Sequence, residues 1–176
     1  MKRSFEYSSN RRTIITTILT LLLFTAVAVL LFFLYKGGFF SAWFVSLVLA
    51  IIALMALSVP RRIAILGNTL EIQCISDITE IDIQEIASIR KVERRAMRWV
   101  VPIFGAVGFF GYYGKFFDFK AFDTITIYAS EWDNFVEITD IYDNRTYVSC
   151  SEADELIEAV MMVRKELSET ADDNLE

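Results

Sequence analysis

Residues 61–74 read RRIAILGNTLEIQC, and the fold follows from how they alternate. Ile63 and Ile65 repeat at every second position, Gly67-Asn68 interrupts, and Leu70, Ile72 and Cys74 then alternate with Thr69, Glu71 and Gln73. Period-two hydrophobicity on both sides of a Gly-Asn pair predicts a β-hairpin with one buried face. Ile81 and Ile83 extend the pattern; Ile86, Ile89 and Val92 are spaced more loosely. Farther on, Ile125 and Ile127 alternate with threonines, Val136 and Ile138 follow a turn at Asp133-Asn134, and Thr146, Val148 and Cys150 follow one at Asp143-Asn144. Short strands between polar turns predict an antiparallel sandwich or barrel.

C-terminal to these strands the period changes to that of a helix. Leu156, Val160, Val163 and Leu167 recur at i, i+4, i+7 and i+11, with Ile157 and Met161 widening the stripe. Ser151 is placed to cap this helix, with Asp154 three residues on. Glu152, Asp154 and Glu155 suit its positive end, and Arg164 and Lys165 its negative end. The acidic tail 168–176 has almost no apolar residue and is expected to be disordered.

N-terminal to the hairpin the chain is of another kind. Thr13–Leu34 holds 22 uncharged residues and Phe39–Val59 another 21. At 1.5 Å per residue the first covers about 33 Å, enough for a hydrocarbon core of about 30 Å. Tyr35-Lys36-Gly37-Gly38 between them allows only a tight antiparallel turn. Lys2, Arg3, Arg11 and Arg12 precede the first run, and Arg61 and Arg62 follow the second. The positive-inside rule then puts both termini in the cytoplasm. A cleaved signal sequence fits less well, because the apolar run is long, has no A-x-A site and is followed at once by a second run. Neither run carries an ionisable side chain, so the pair reads as an anchor or an oligomer contact, not a conduction path. The domains expected are thus a cytoplasmic segment 1–12, a transmembrane hairpin 13–59, a β domain 61–167 and the tail 168–176.

Composition agrees: 55% of the 176 residues are hydrophobic, with mean hydropathy +0.43. The net charge of −6 conceals an asymmetry. Residues 1–60 hold five basic residues and one acid, so the rest of the chain is strongly acidic, which disfavours nucleic-acid binding. There is no histidine, which removes imidazole bases and the commonest metal ligand. Asp118, Asp123, Asp133, Asp140 and Asp143 sit in turn-like sequence, where aspartate is favoured for backbone reasons. No catalytic residue, cofactor site, metal site or small-molecule substrate is predicted. Cys74 and Cys150 read as free thiols rather than a disulfide.

Residues 99–114, WVVPIFGAVGFFGYYG, are uncharged and rich in glycine and aromatic side chains. They admit a third span, a monotopic or re-entrant membrane contact, or a connection folded over the core. Their glycines fit neither GxGxxG nor a P-loop. Upstream, Arg90, Arg94 and Arg98 with Lys91 and Arg95 would form a basic stripe on a helix. Such a stripe either docks on anionic lipid or is a solvated face. The candidate lipid or partner contacts are therefore Arg90, Lys91, Arg94, Arg95, Arg98, Trp99, Phe109, Phe110, Tyr112 and Tyr113.

The hairpin-rich run from Arg61, the GFFGYYGK stretch at 108–115, the strand Thr124–Ala129, the Asp133-Asn134-Phe135-Val136 turn and the helix from Ser151 resemble the bacterial pleckstrin-homology (PH) domain families over roughly 61–167. The resemblance implies a seven-stranded bent sheet closed by a C-terminal helix, and binding or scaffolding in place of catalysis. It does not imply phosphoinositide recognition: Gly67-Asn68 makes a tight first loop without positive charge, and the C-terminal helix lacks a tryptophan. The expectation is a membrane-anchored, mainly β protein: two transmembrane helices, then a PH-like antiparallel sandwich with a capping helix. It would work as a protein-interaction or scaffolding module, self-association included, with anionic-lipid sensing through 90–114 as the alternative.

Overall fold

A computed structural model of the chain describes residues 2–6, 11–34, 38–57, 60–74, 78–108 and 110–173. In chain order these form β1 (Lys2–Glu6), α1 (Arg11–Leu34), α2 (Phe39–Leu57), β2 (Pro60–Leu66), β3 (Thr69–Cys74), β4 (Ile78–Asp82), β5 (Ile86–Val92), β6 (Val100–Val107), β7 (Tyr112–Asp118), β8 (Asp123–Ala129), β9 (Phe135–Asp140), β10 (Arg145–Ser149) and α3 (Ala153–Asp173).

The predicted hairpin is present: β2 and β3 pair antiparallel from Leu66↔Thr69, around Gly67 in the left-handed region. A strand with no sequence signal joins it. β1 pairs antiparallel with β2 from Lys2↔Leu66 to Glu6↔Arg62, giving a four-stranded sheet β1-β2-β3-β4. Residues 2–6 are therefore part of the fold. Phe5 explains why: its ring is buried among Ile63, Ile72 and Val136 in the main core.

The second sheet has six strands in the order β5-β9-β10-β8-β7-β6. It corrects two expectations. The described residues hold ten strands in two sheets, and β8 and β10 run parallel (Thr126↔Thr146), so the sandwich is mixed. Laid flat, the gaps between β5 and β6 would span about 24 Å. The connection 93–99, partly a 3-10 turn, reaches only about 20 Å. The sheet must roll to bring its two edges toward each other. Met97, on that connection, is buried against the inner wall of the roll with Phe116, Ile125, Ile127, Phe135 and Tyr147. The outer wall packs on the four-stranded sheet and on α3 through Ile89, Val136, Ile138, Val148, Leu156 and Val160. β9 separates the two cores, so Phe135, Val136, Glu137 and Ile138 are all buried.

α3 departs from expectation at both ends. Its first bond runs from Leu156 N–H to the Glu152 carbonyl, so the helix is entered one residue after Ser151. It then continues through the expected disordered tail to Asp173, helped by Ser168 Oγ donating to the Lys165 carbonyl and by a Lys165–Glu169 pair. Residues 174–176 lie outside the described residues.

α1 and α2 pack as an antiparallel pair: Leu21, Ala28, Val45 and Ile52 line one groove between them, and Ser41 Oγ donates to the Ala28 carbonyl at 3.1 Å. Within α1, Thr13–Leu34 is long and apolar enough to cross a membrane, and almost all its side chains face outward. α2 is the shorter helix, with an apolar stretch over Phe39–Leu54.

Candidate functional site

α1 is attached to the domain along its first turns as well as through β1. Thr13 Oγ1 donates to the Ser130 carbonyl at 3.0 Å, and Phe110 N–H donates to Thr17 Oγ1 at 3.0 Å. Both threonines are buried, and Thr17 Oγ1 also donates to the Thr13 carbonyl, the in-helix bond that sequence alone suggests. Gly108, in the left-handed region, lies against Thr16: a Cβ there would stand 3.2 Å from Thr16 Cγ2. The tip of the β6–β7 hairpin thus rests on the start of α1.

That hairpin is built from 100–107 and 112–118, so 99–114 does not form a helical span. β6 and β7 pair from Val100↔Asp118 to Val107↔Tyr112, with a bulge at Pro102/Phe104. Pro102 is tolerated because β6 is an edge strand. Gly105 and Gly114 face each other at left-handed φ, and a side chain on either would collide with the opposing backbone.

Beside this junction is a cavity of about 300 Å³, lined by Thr13, Val100, Pro102, Val107, Tyr112, Phe116 and Trp132, with Arg94 and Asp133 at its rim. Its aromatic wall is ordered: Trp132 packs at a tilt of 52° against Tyr112, ring centres 4.7 Å apart, and lies edge-on to Phe135 at 5.4 Å. The Trp132 loop is held by Ser149 Oγ, which accepts from Ser130 N–H at 2.9 Å. At the opposite end of the sheet, Arg145 reaches Asp118 at 3.3 Å and Asp123 at 3.1 Å. Asp140 accepts from the Tyr142 and Asn144 N–H groups and the Asn144 amide. Burial would raise its pKa, but those hydrogen bonds win and hold it below the usual carboxylate range. These aspartates are thus tied up in turns and ion pairs.

The nine described candidate contacts do not form one surface. The helical basic stripe is not there: Arg90 and Lys91 lie on β5, Arg94 and Arg95 in a turn, and Arg98 on the 3-10 turn Ala96–Trp99. The spacing i, i+4, i+8 fits a helix, but the β5–β9 ladder claims residues 86–92 first. Arg90 Nε donates to Glu137 at 2.6 Å, and Lys91 pairs with Asp154 at 2.6 Å on the surface. Glu137 is 2% exposed, which makes Arg90 the counter-ion of a buried carboxylate; the hydrogen bond that Arg90 donates to Glu137 pushes the Arg90 pKa up. Tyr113 is buried, so it offers no ring to a partner. Phe110 and Tyr112 are at the α1 junction, while Arg98 and Trp99 line a separate open groove with Val101, Phe119 and Lys120. Phe109 lies outside the described residues. Sequence reading missed Thr13, Thr17, Ser130 and Trp132. The only available signal for the first two was their i, i+4 spacing at the head of an apolar run.

Against known proteins, a family model described as bacterial PH domain matches residues 61–164. The chain belongs to the bacterial PH domain family. No curated protein and no solved structure matches it. The match begins at Arg61, so in this bacterial PH domain β1 and both apolar helices precede the family region. PH-like domains are binding modules for proteins or lipids, and the two sheets with the C-terminal α3 fit a PH-like sandwich.

Proposed function

We propose that this bacterial PH domain is a non-enzymatic interaction or scaffolding module held at the cytoplasmic face of the inner membrane, with α1 and α2 as two antiparallel spans. One observation carries the reading: β1 and β2 flank the helical hairpin and pair with each other, so both ends of the hairpin return to one sheet. An anchor whose ends meet on one side must cross an even number of times. α2, with 19 residues, is about 28 Å long, close to the hydrocarbon thickness with local adjustment. Arg11, Arg61 and Arg62 lie at those ends, on the side that the positive-inside rule assigns to the cytoplasm.

The partner-binding surface in this reading is the far groove, where Trp99, Val101 and Phe119 stay exposed, with exposed Phe122 on the same turn as Phe119. A photo-crosslinking residue at Phe122 in intact cells, followed by mild solubilisation and mass spectrometry, tests it. A discrete protein adduct is expected, weakened by Trp99→Ser. A strictly monomeric protein with no adduct at Phe122 overturns scaffolding.

A second reading, anionic-lipid sensing, is favoured by Arg94, Arg95 and Arg98, whose side chains make no ion pair among the described residues. Purified full-length protein should then retain anionic lipid, and the triple exchange to glutamine should lose it.

A further inference from the structure

We propose that the tip of the β6–β7 hairpin is itself inserted in the membrane, and that bilayer lipid covers its apolar side chains. This rests on α1 being a membrane span, as proposed above. The apolar run of α1 begins at Thr13, and Thr17 lies four residues, or about 6 Å, along the helix axis. Phe110 N–H is bonded to Thr17 and Gly108 packs on Thr16, so Gly108 and Phe110, with Val107 beside them, share the depth of the first turn and more of the span. The bond from Thr13 to Ser130 fixes the same level from a second loop. If α1 starts in the headgroup layer, the tip must reach the depth of about 5–10 Å at which interfacial elements settle.

The chemistry of the tip suits that depth. No charged side chain occurs from Trp99 to Gly114, and the first is the exposed Lys115, far enough back for its ammonium to reach the headgroups. Val107 is 49% exposed and Phe104 82%, although both belong to a strand whose neighbours are apolar. The Phe110 N–H, which would be costly to leave unpaired near lipid, already has its acceptor on α1. Lipid is favoured over a protein partner because the tip is joined to α1, whose side chains from Thr13 onward face outward almost throughout. The hydrogen bonds that join the two leave the tip no other level to occupy. The hairpin would then be a third attachment, one that sets the tilt of the domain on the membrane.

The test uses full-length protein with Cys74→Ser, in vesicles of phosphatidylethanolamine and phosphatidylglycerol. Cys150 is kept because it is buried. Nitroxide labels are placed at Val107→Cys, at Phe104→Cys as a second tip position, at Leu22→Cys in mid-helix and at Phe122→Cys at the far end. Relaxation by oxygen is compared with relaxation by a water-soluble nickel chelate. Leu22 and Val107 are expected to favour oxygen, Phe104 to be intermediate, and Phe122 to show a several-fold higher nickel response than Val107. If Leu22 is in lipid while both tip labels respond to nickel as Phe122 does, the tip is in water and the inference fails alone. If Leu22 also responds to nickel, the anchor reading fails and takes the inference with it. Tip labels shielded from both reagents would mean a protein cover and would overturn lipid as the occupant.

Discussion

Thr17 carries a contact that reaches 93 residues along the chain. Its hydroxyl accepts from Phe110 N–H and donates to its own helix, so it is used twice. Thr17→Val keeps the shape and removes the acceptor, at an expected cost of about 1–2 kcal/mol for the stranded N–H. Hydrogen exchange should show it as faster exchange at Phe110, with β7 unchanged. Glu137 makes a second residue-scale case. It is enclosed by β9's neighbours and reached by Arg90 from the solvent side. Arg90→Ala should destabilise the domain by about 1–2 kcal/mol, because the exposed arginine can be replaced in part by water. Glu137→Gln with Arg90→Ala together should recover some of that loss in thermal melts, since the charge no longer needs a counter-ion. Arg90 looked like a member of a basic surface because sequence shows spacing but not the partner across the ladder; Glu137 in turn looked like an ordinary outward strand position.

At the scale of elements, period two in 61–74, 124–129 and 145–150 was enough to locate strands, since alternation follows from one buried face. It failed for β1, whose five residues KRSFE offer a single core side chain, Phe5, and whose partner is contributed from beyond two helices. It failed for 99–114 for a different reason: β6 exposes apolar residues on most of its length, so no alternation marks it. The glycines were the better clue to that hairpin: Gly108 and Gly111 lie in its turn, while Gly105 and Gly114 are strand contacts. Gly105→Ala should break the β6–β7 pairing, because the added methyl meets the Tyr113 carbonyl. The expected readout is loss of the hairpin's exchange protection while α3 keeps its own. On α3, Leu156→Ala removes a fully buried side chain and should cost about 2–5 kcal/mol in domain stability.

For the whole molecule, pH response is set by buried tyrosines. Burial pushes Tyr113 up to about 12, and burial with the nearby Glu137 does the same for Tyr147. Their ordinary value is 10.0. The stability they contribute is therefore fully present below pH 10 and is lost as pH rises toward 12, when the unfolded chain releases protons that the fold retains. Near-ultraviolet circular dichroism melts from pH 9 to 11.5 should show the midpoint falling, and Tyr147→Phe should flatten that slope. The molecule also has two polar ends of different make: ion-paired aspartates beside Arg145 at one, and threonine-bonded backbone at the other. Only the second end was invisible in sequence, since backbone bonds to a distant helix leave no pattern along the chain.

The strand β1 is made before its partner. β2 leaves the ribosome only after both apolar helices, so the sheet cannot close until the chain on either side of them has come back to one place. In the anchor proposed above, the pairing Glu6↔Arg62 would then report on biogenesis: a chain whose second helix stalls or inverts would leave Phe5 and the edge of β2 uncovered, which is the kind of unpaired edge that quality-control proteases and aggregation both find. Early translation of five unassuming residues would thereby become a checkpoint on correct insertion, closed by one small piece of sheet.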